Sequence, residues 1–100
     1  MVKNATNGMT PIHLSAFNGD LKTTQFLIDN GAAINARSTS NLTPLHFAAR
    51  DDHSSVVECL VKHGAEIDVK STDGETPIQL ATSHHHPRIV EFLKNNSGSK

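Results

Sequence analysis

The chain has 100 residues, 36% of them apolar and 4% aromatic, with no Trp or Tyr. That is one small domain at most, too thin for a globule around one central core but suited to a stack of small aliphatic contacts. A formal net charge of −1 supplies no basic field to hold a nucleic acid or an acidic membrane surface, so neither is expected as a partner.

In chain order, the first punctuation is Thr10-Pro11. A threonine hydroxyl can accept from an orphan N–H of a first helical turn, and proline belongs at the first helical position. A short helix is expected from there to Gly19, a residue suited to a left-handed C-terminal position. A second helix is expected from Leu21 to Asn30, closed by Gly31. An extended piece, "AAINA", and a polar turn, "RSTSN", follow. Thr43-Pro44 then starts the same series again. Leu45, Ala48 and Ala49 recur at helical spacing, and the helix should end near Asp51 or Asp52. The next runs from Ser54 to His63, with Val56, Val57, Leu60 and Val61 on one face, and is closed by Gly64. "AEIDV" and "KSTDG" lead to Thr76-Pro77, and a last helix is expected from Pro87 to Asn96. Asp52 and His85 stand where Gly19 stands, at greater cost in the left-handed conformation.

Thr10, Thr43 and Thr76 are 33 residues apart, and "TPIHLSAF", "TPLHFAAR" and "TPIQLATS" align at that period. "QFLIDNGAAIN" aligns with "ECLVKHGAEID". The chain is thus read as one domain of three tandem units, about 3–35, 36–68 and 69–97, with 98–100 as a frayed tail. Units this small cannot bury their own apolar faces, so each must lean on the next.

This pattern resembles the ankyrin repeat, whose period and T-P-L-H-x-A signature it shares. Thr43-Pro44-Leu45-His46 with Ala48 matches in full. Thr10-Pro11-Ile12-His13 matches nearly, and Thr76-Pro77-Ile78-Gln79 lacks the histidine. Gly31-Ala32 and Gly64-Ala65 fit too. The fold class implied is an all-α solenoid of helix-turn-helix pairs joined by short hairpin loops. In proteins of this kind the motif threonine and histidine hydrogen-bond to one another and to nearby backbone, which is the role expected of His13 and His46.

The ends carry polar substitutions of the sort a terminal unit needs. Lys94 replaces Ile28 and Val61, "TSHHHP" stands where "ARDDHS" stands, and Thr23-Thr24 replace Val56-Val57 and Ile89-Val90. Both ends are therefore expected to be partly adapted to water.

No Gly-rich phosphate loop, G-x-S-x-G elbow or paired-carboxylate motif is present, so no enzyme and no cofactor are expected. Cys59 stands alone, which excludes an internal disulfide, favours a reducing compartment, and makes it a core or boundary residue. The opening residues lack the apolar run of a signal peptide, and no stretch is long enough to span a bilayer. An intracellular protein of the cytoplasm or nucleus is expected, with the N-x-S/T triplets unused. His84, His85 and His86 cannot all face one way and lack a fourth ligand, so they read as a polar end and turn. A metal or pH response is the distant alternative.

The resemblance implies a partner protein held by the hairpin tips and the exposed side of the first helices. Those positions are Thr6, Asn7, Met9, Phe17 and Asn18 in the first unit, and Thr39, Ser40, Leu42, Arg50 and Asp51 in the second. In the third they are Thr72, Asp73, Glu75, Ser83 and His84. Met9, Phe17 and Leu42 are apolar where polar residues would do. Phe17 reads equally as an anchor or as core. The alternative function is a structural spacer within a longer array, and a monomer is expected in either case. In some ankyrin repeats an asparagine after the second helix is hydroxylated, with a leucine eight residues earlier. Asn35, with Leu27 before it, fits that arrangement, although Ala33 stands where an acidic residue is often found.

Overall fold

The computed structural model describes residues 8–96, and these form six helices with no strand among them. The helices are α1 (Pro11–Asn18), α2 (Leu21–Asp29), α3 (Pro44–Arg50), α4 (Ser54–Lys62), α5 (Pro77–Ser83) and α6 (Pro87–Asn96). Each odd helix pairs with the even helix that follows it. The first helices stack as α1 on α3 on α5, and the second helices as α2 on α4 on α6.

The expected threonine cap forms at Thr43 and Thr76, while the Thr10 hydroxyl makes no such bond. Thr10, Thr43 and Thr76 sit extended, with proline following. Thr43 Oγ1 accepts from the His46 N–H at 3.4 Å and Thr76 Oγ1 from that of Gln79 at 3.2 Å. Asp20 caps α2 instead, its carboxylate accepting from Thr23 N–H at 3.1 Å and Thr23 Oγ1–H at 2.6 Å. Those bonds hold its pKa below the usual carboxylate value.

The first helices end alike. Gly19, Asp52 and His85 all take positive φ, at 70°, 64° and 63°. The next residue's N–H returns to a carbonyl of the helix: Asp20 to Ser15, His53 to Ala48 and His86 to Ala81, each at 2.9 Å. Two non-glycine residues thus accept the left-handed penalty because that turn is the shortest way to fold α4 and α6 back. The second helices stop at Asp29 and Lys62, one residue before the expected Asn30 and His63, which become their C-caps.

The pieces expected to be extended are turned rather than straight, with Ala36 N–H bonded to Ala33 O at 3.1 Å. Short hairpin tips do form. Ser38 N–H donates to Leu42 O at 2.9 Å across a turn closed by Asn41 N–H to Ser38 O at 2.8 Å, and Ser71, Gly74 and Glu75 repeat the pattern. Asn41 and Gly74 sit at φ 62° and 81°.

The core runs between units. Ala16, Ala48, Ala49 and Ala81 are fully buried, as are Ile12, Leu45, Leu60, Ile89 and Leu93. Alanine at the helix crossings removes the bulk that would hold neighbouring helices apart. One expectation is corrected. Thr24, read as an adaptation to water, is fully buried, its hydroxyl 2.7 Å from Ser15 Oγ. Threonine has the shape of the Val57 and Val90 it replaces, and the paired hydroxyl removes the cost of burying it.

Two imidazoles join the units. His13 Nδ1 accepts from Thr10 N–H at 3.0 Å, and His46 Nδ1 from Thr43 N–H at 2.9 Å. A nitrogen that accepts a backbone N–H bears no proton, so the proton is on Nε2. That proton is donated across the unit boundary, from His13 to Leu42 O at 2.7 Å and from His46 to Glu75 O at 2.9 Å. Both rings are fully buried, and burial lowers both pKa values, against the weaker upward pull of the backbone bonds. In the unfolded chain histidine takes up a proton near pH 6.5. Because the folded-state pKa values lie lower, stability is complete above that pH and falls as pH drops through it. Urea unfolding midpoints should therefore decrease from pH 7.5 to pH 5. The decrease should be shallower in His46→Gln, which keeps the local acceptor, as Gln79 does with Thr76 N–H at 3.0 Å. Equal slopes in wild type and variant would contradict this.

Candidate functional site

The exposed side of the first helices is continuous with the hairpin tips. Thr72 N–H donates to Ser40 O at 2.9 Å, linking one tip to the next. The first tip is anchored by Leu42 O on His13, and the His13 ring meets Phe47 edge-on at 6.0 Å. Phe47 in turn meets Phe17 edge-on at 6.0 Å and 85°. The Arg50 guanidinium lies over both rings, 5.1 Å from the Phe47 centroid and 5.7 Å from that of Phe17. Asp51 grips the same guanidinium at 3.0 and 3.2 Å. Two aromatic rings, a cation and a carboxylate thus form one fixed cluster across α1 and α3. Planar arginine is suited to such stacking while its fork holds a carboxylate.

The expected site residues distribute unevenly around this cluster. Phe17, 44% exposed, belongs to it and is not core. Arg50 and Asp51 belong to it as a locked pair at the surface. Asn18, Thr39, Ser40, Thr72, Asp73, Ser83 and His84 are exposed, and Met9 is half-buried. Leu42 and Glu75 are partly buried, and their carbonyls receive the two histidine bonds. Both therefore serve the scaffold as well as the face. Thr6 and Asn7 lie outside the described residues. Asn35 ties the first unit to the second, Oδ1 accepting from Glu66 N–H at 2.8 Å.

Sequence reasoning did not single out Phe47, which the repeat alignment places with Leu14 and Leu80 and which is 6% exposed. It also missed a second pair of histidines. His53 Nε2 donates to Phe17 O at 3.0 Å, and His86 Nε2 donates to Arg50 O at 2.8 Å. Each ring caps the end of the preceding unit's first helix, under the two residues that carry the cluster. The signal was present, since His53 and His86 are 33 residues apart, but Asp20 stands in the first copy and hid it.

The histidine run is occupied by the protein itself. His84 Nδ1 is 3.0 Å from Leu80 O, His86 holds Arg50 O, and the two rings stack at 6.4 Å. Among the described residues no group of three or more His, Cys, Asp or Glu side chains could hold a metal ion. Cys59 is buried, its thiol pKa is raised by that burial, and a raised pKa opposes the reactive thiolate. Among the described residues no helix is long and apolar enough to cross a membrane.

The sequence matches a family model for ankyrin repeats (3 copies) over residues 1–71 and one for ankyrin repeats (many copies) over residues 51–93. The chain belongs to the ankyrin repeat family. A search of curated proteins finds no match. Ankyrin repeats are in general protein–protein interaction modules, typically without enzymatic activity.

The His53 cap explains one ankyrin glycine beyond its backbone angle. A Cβ on Gly19 would press into the His53 ring, lying 2.8 Å from Cγ and closer to the neighbouring ring atoms. Gly19→Ala should thus combine a left-handed penalty of about 1 kcal/mol or more with the loss of the cap. In a His53→Ala background only the left-handed cost should remain. Urea unfolding of the four chains measures the difference. Equal costs for Gly19→Ala in both backgrounds would show that the ring is not the obstacle.

Proposed function

We propose that this chain binds a partner protein on the face lined by the first helices and hairpin tips, with Phe17 and Arg50 as its centre. The observation that carries the reading is the cluster itself. Phe17 is a large ring left open to solvent, yet it is held edge-on by Phe47 and covered on one side by Arg50. An aromatic anchor already fixed in one orientation loses little conformational freedom on binding, and aromatic and arginine side chains are the commonest energetic centres of interfaces. The tips add exposed Thr39, Ser40, Thr72 and Asp73, which offer hydroxyls and a carboxylate to a partner's backbone.

The test is capture of partner proteins by the immobilised chain, read by quantitative mass spectrometry. Phe17→Ala and Arg50→Ala should each lower retention by about 2 kcal/mol in affinity, roughly 30-fold. Lys22→Ala, at an exposed position on α2, should leave it unchanged. Retrieval of the same proteins at the same level by all four chains would remove the assigned face. It would favour the second reading, a spacer within a longer array.

Asn35 is also proposed as a site of asparaginyl hydroxylation. It lies just after α2 and is half-buried. Incubation with an ankyrin-directed asparaginyl hydroxylase should add one oxygen at Asn35 in the peptide mass spectrum, and an unmodified peptide would end the idea.

A further inference from the structure

Charge is spread unevenly over the Phe17–Arg50 face and the tips that continue it. Among the described residues of that face, Arg50 is the one Lys or Arg, and its charge is already spent. Asp51 holds its Nε–H and Nη2–H at 3.0 and 3.2 Å. The tip that leads into α5 adds two more carboxylates, an exposed Asp73 and a half-buried Glu75. Among the described residues neither forms an ion pair. Three carboxylates thus stand against one guanidinium.

The scaffold does not need the two carboxylates of the tip. The buried Ser71 hydroxyl closes that turn, accepting from the Asp73 and Glu75 N–H groups at 3.2 and 3.3 Å. In the first tip the Ser38 hydroxyl accepts in the same way from Ser40 and Leu42, at 3.3 and 3.2 Å. One turn therefore forms with neutral Ser40 and Leu42 where the other carries Asp73 and Glu75. Nor do neighbouring cations neutralise these acids. Arg37 and Lys70, the cations beside the two tips, line a depression with Glu66 and Asp68 instead, and Arg37 lies 3.8 Å from Glu66. On the second helices, Glu58 lines one depression with Lys62 and Glu91 another with Lys94. The carboxylates of those surfaces have cations beside them, and Asp73 and Glu75 do not.

We infer that the partner presents an extended segment with two features: a large apolar side chain packed on Phe17, and a lysine or arginine held by Asp73 and Glu75. The inference rests on the reading of this face as the partner-binding surface. Arg50 already lies over the Phe17 ring, 5.7 Å from its centroid, so a second cation there would meet like charge, and an apolar group would not. From α1 to α5 is two helix spacings of about 8–10 Å, or roughly 20 Å. An extended chain covers that with about six residues, which sets the separation of the two features. Complementary charge of this kind steers encounter and rejects acidic competitors.

A library of random dodecapeptides displayed on phage, selected on the immobilised chain, supplies the probe. The selected peptides should share a large apolar residue and a lysine or arginine about six residues away. One of them, synthesised and followed by fluorescence polarisation, should bind the Asp73→Asn, Glu75→Gln chain about five-fold more weakly than wild type. The difference should vanish in about 0.5 M NaCl, whereas Phe17→Ala should weaken binding at every salt concentration. Replacing the peptide's cation by glutamine should cost about five-fold on wild type and nothing on the double variant, a comparison within each chain that does not depend on the variant's stability. Selection of peptides without a cation, recovery of none, or equal affinity for wild type and double variant overturns the inference. If Phe17→Ala still weakens binding in that last case, the face stands and the cationic partner falls. A peptide indifferent to Phe17→Ala, Arg50→Ala and the double variant removes the face as well.

Discussion

Neutral imidazoles that span the unit boundaries organise this molecule. A helix pair of two or three turns has too little apolar surface to fold alone, so neighbours must be held in register closely enough for alanine to meet alanine. His13 and His46 do this with both ring nitrogens. One accepts the N–H that opens its own helix, and the other donates to the hairpin of the next unit. The same ring thus starts a helix and places the following one. Because the bond accepted at Nδ1 needs the neutral ring, the arrangement is tied to pH, and burial is the largest cause of the lowered pKa values.

A second pair of rings works at the opposite ends of the first helices. His53 and His86 reach back to carbonyls of Phe17 and Arg50. The first helices α1 and α3 are therefore each capped at the C-terminal end by the next unit. This matters for the surface, because the two capped residues carry the aromatic–cation cluster. A recognition face on short helices would normally fray at such a point. Here the last turn is held from outside, and an exposed ring and a guanidinium are presented by backbone that is fixed in place. The scaffold and the face are built from the same bonds.

The stack is also polar in its construction. Its trailing end has exchanged alanine and aliphatic positions for threonine and lysine, while its leading end retains leucine, phenylalanine and proline in the open. At the same positions the second unit buries Pro44, Phe47 and Cys59.

Much of this was legible in the sequence for a plain reason. Thr-Pro at a helix start, glycine at a helix end and alanine at a helix crossing are local demands of the backbone, and a 33-residue period repeats them three times. Element order, the left-handed positions at Gly19, Asp52 and His85, and the short hairpins follow from those demands. What a single chain trace does not carry is which face of a repeated position meets water. Phe17 read equally as core or anchor, and Thr24 read as adapted to water. Only the stacked structure separated them, because their burial depends on the neighbouring unit and not on their own helix. The same holds for His53 and His86, which sit unremarkably in a turn until the preceding unit brings a helix terminus within 3.0 Å. Local sequence thus determined the unit and its period. Contact between units decided the surface, since each pair of helices acquires an inside and an outside only when another lies against it.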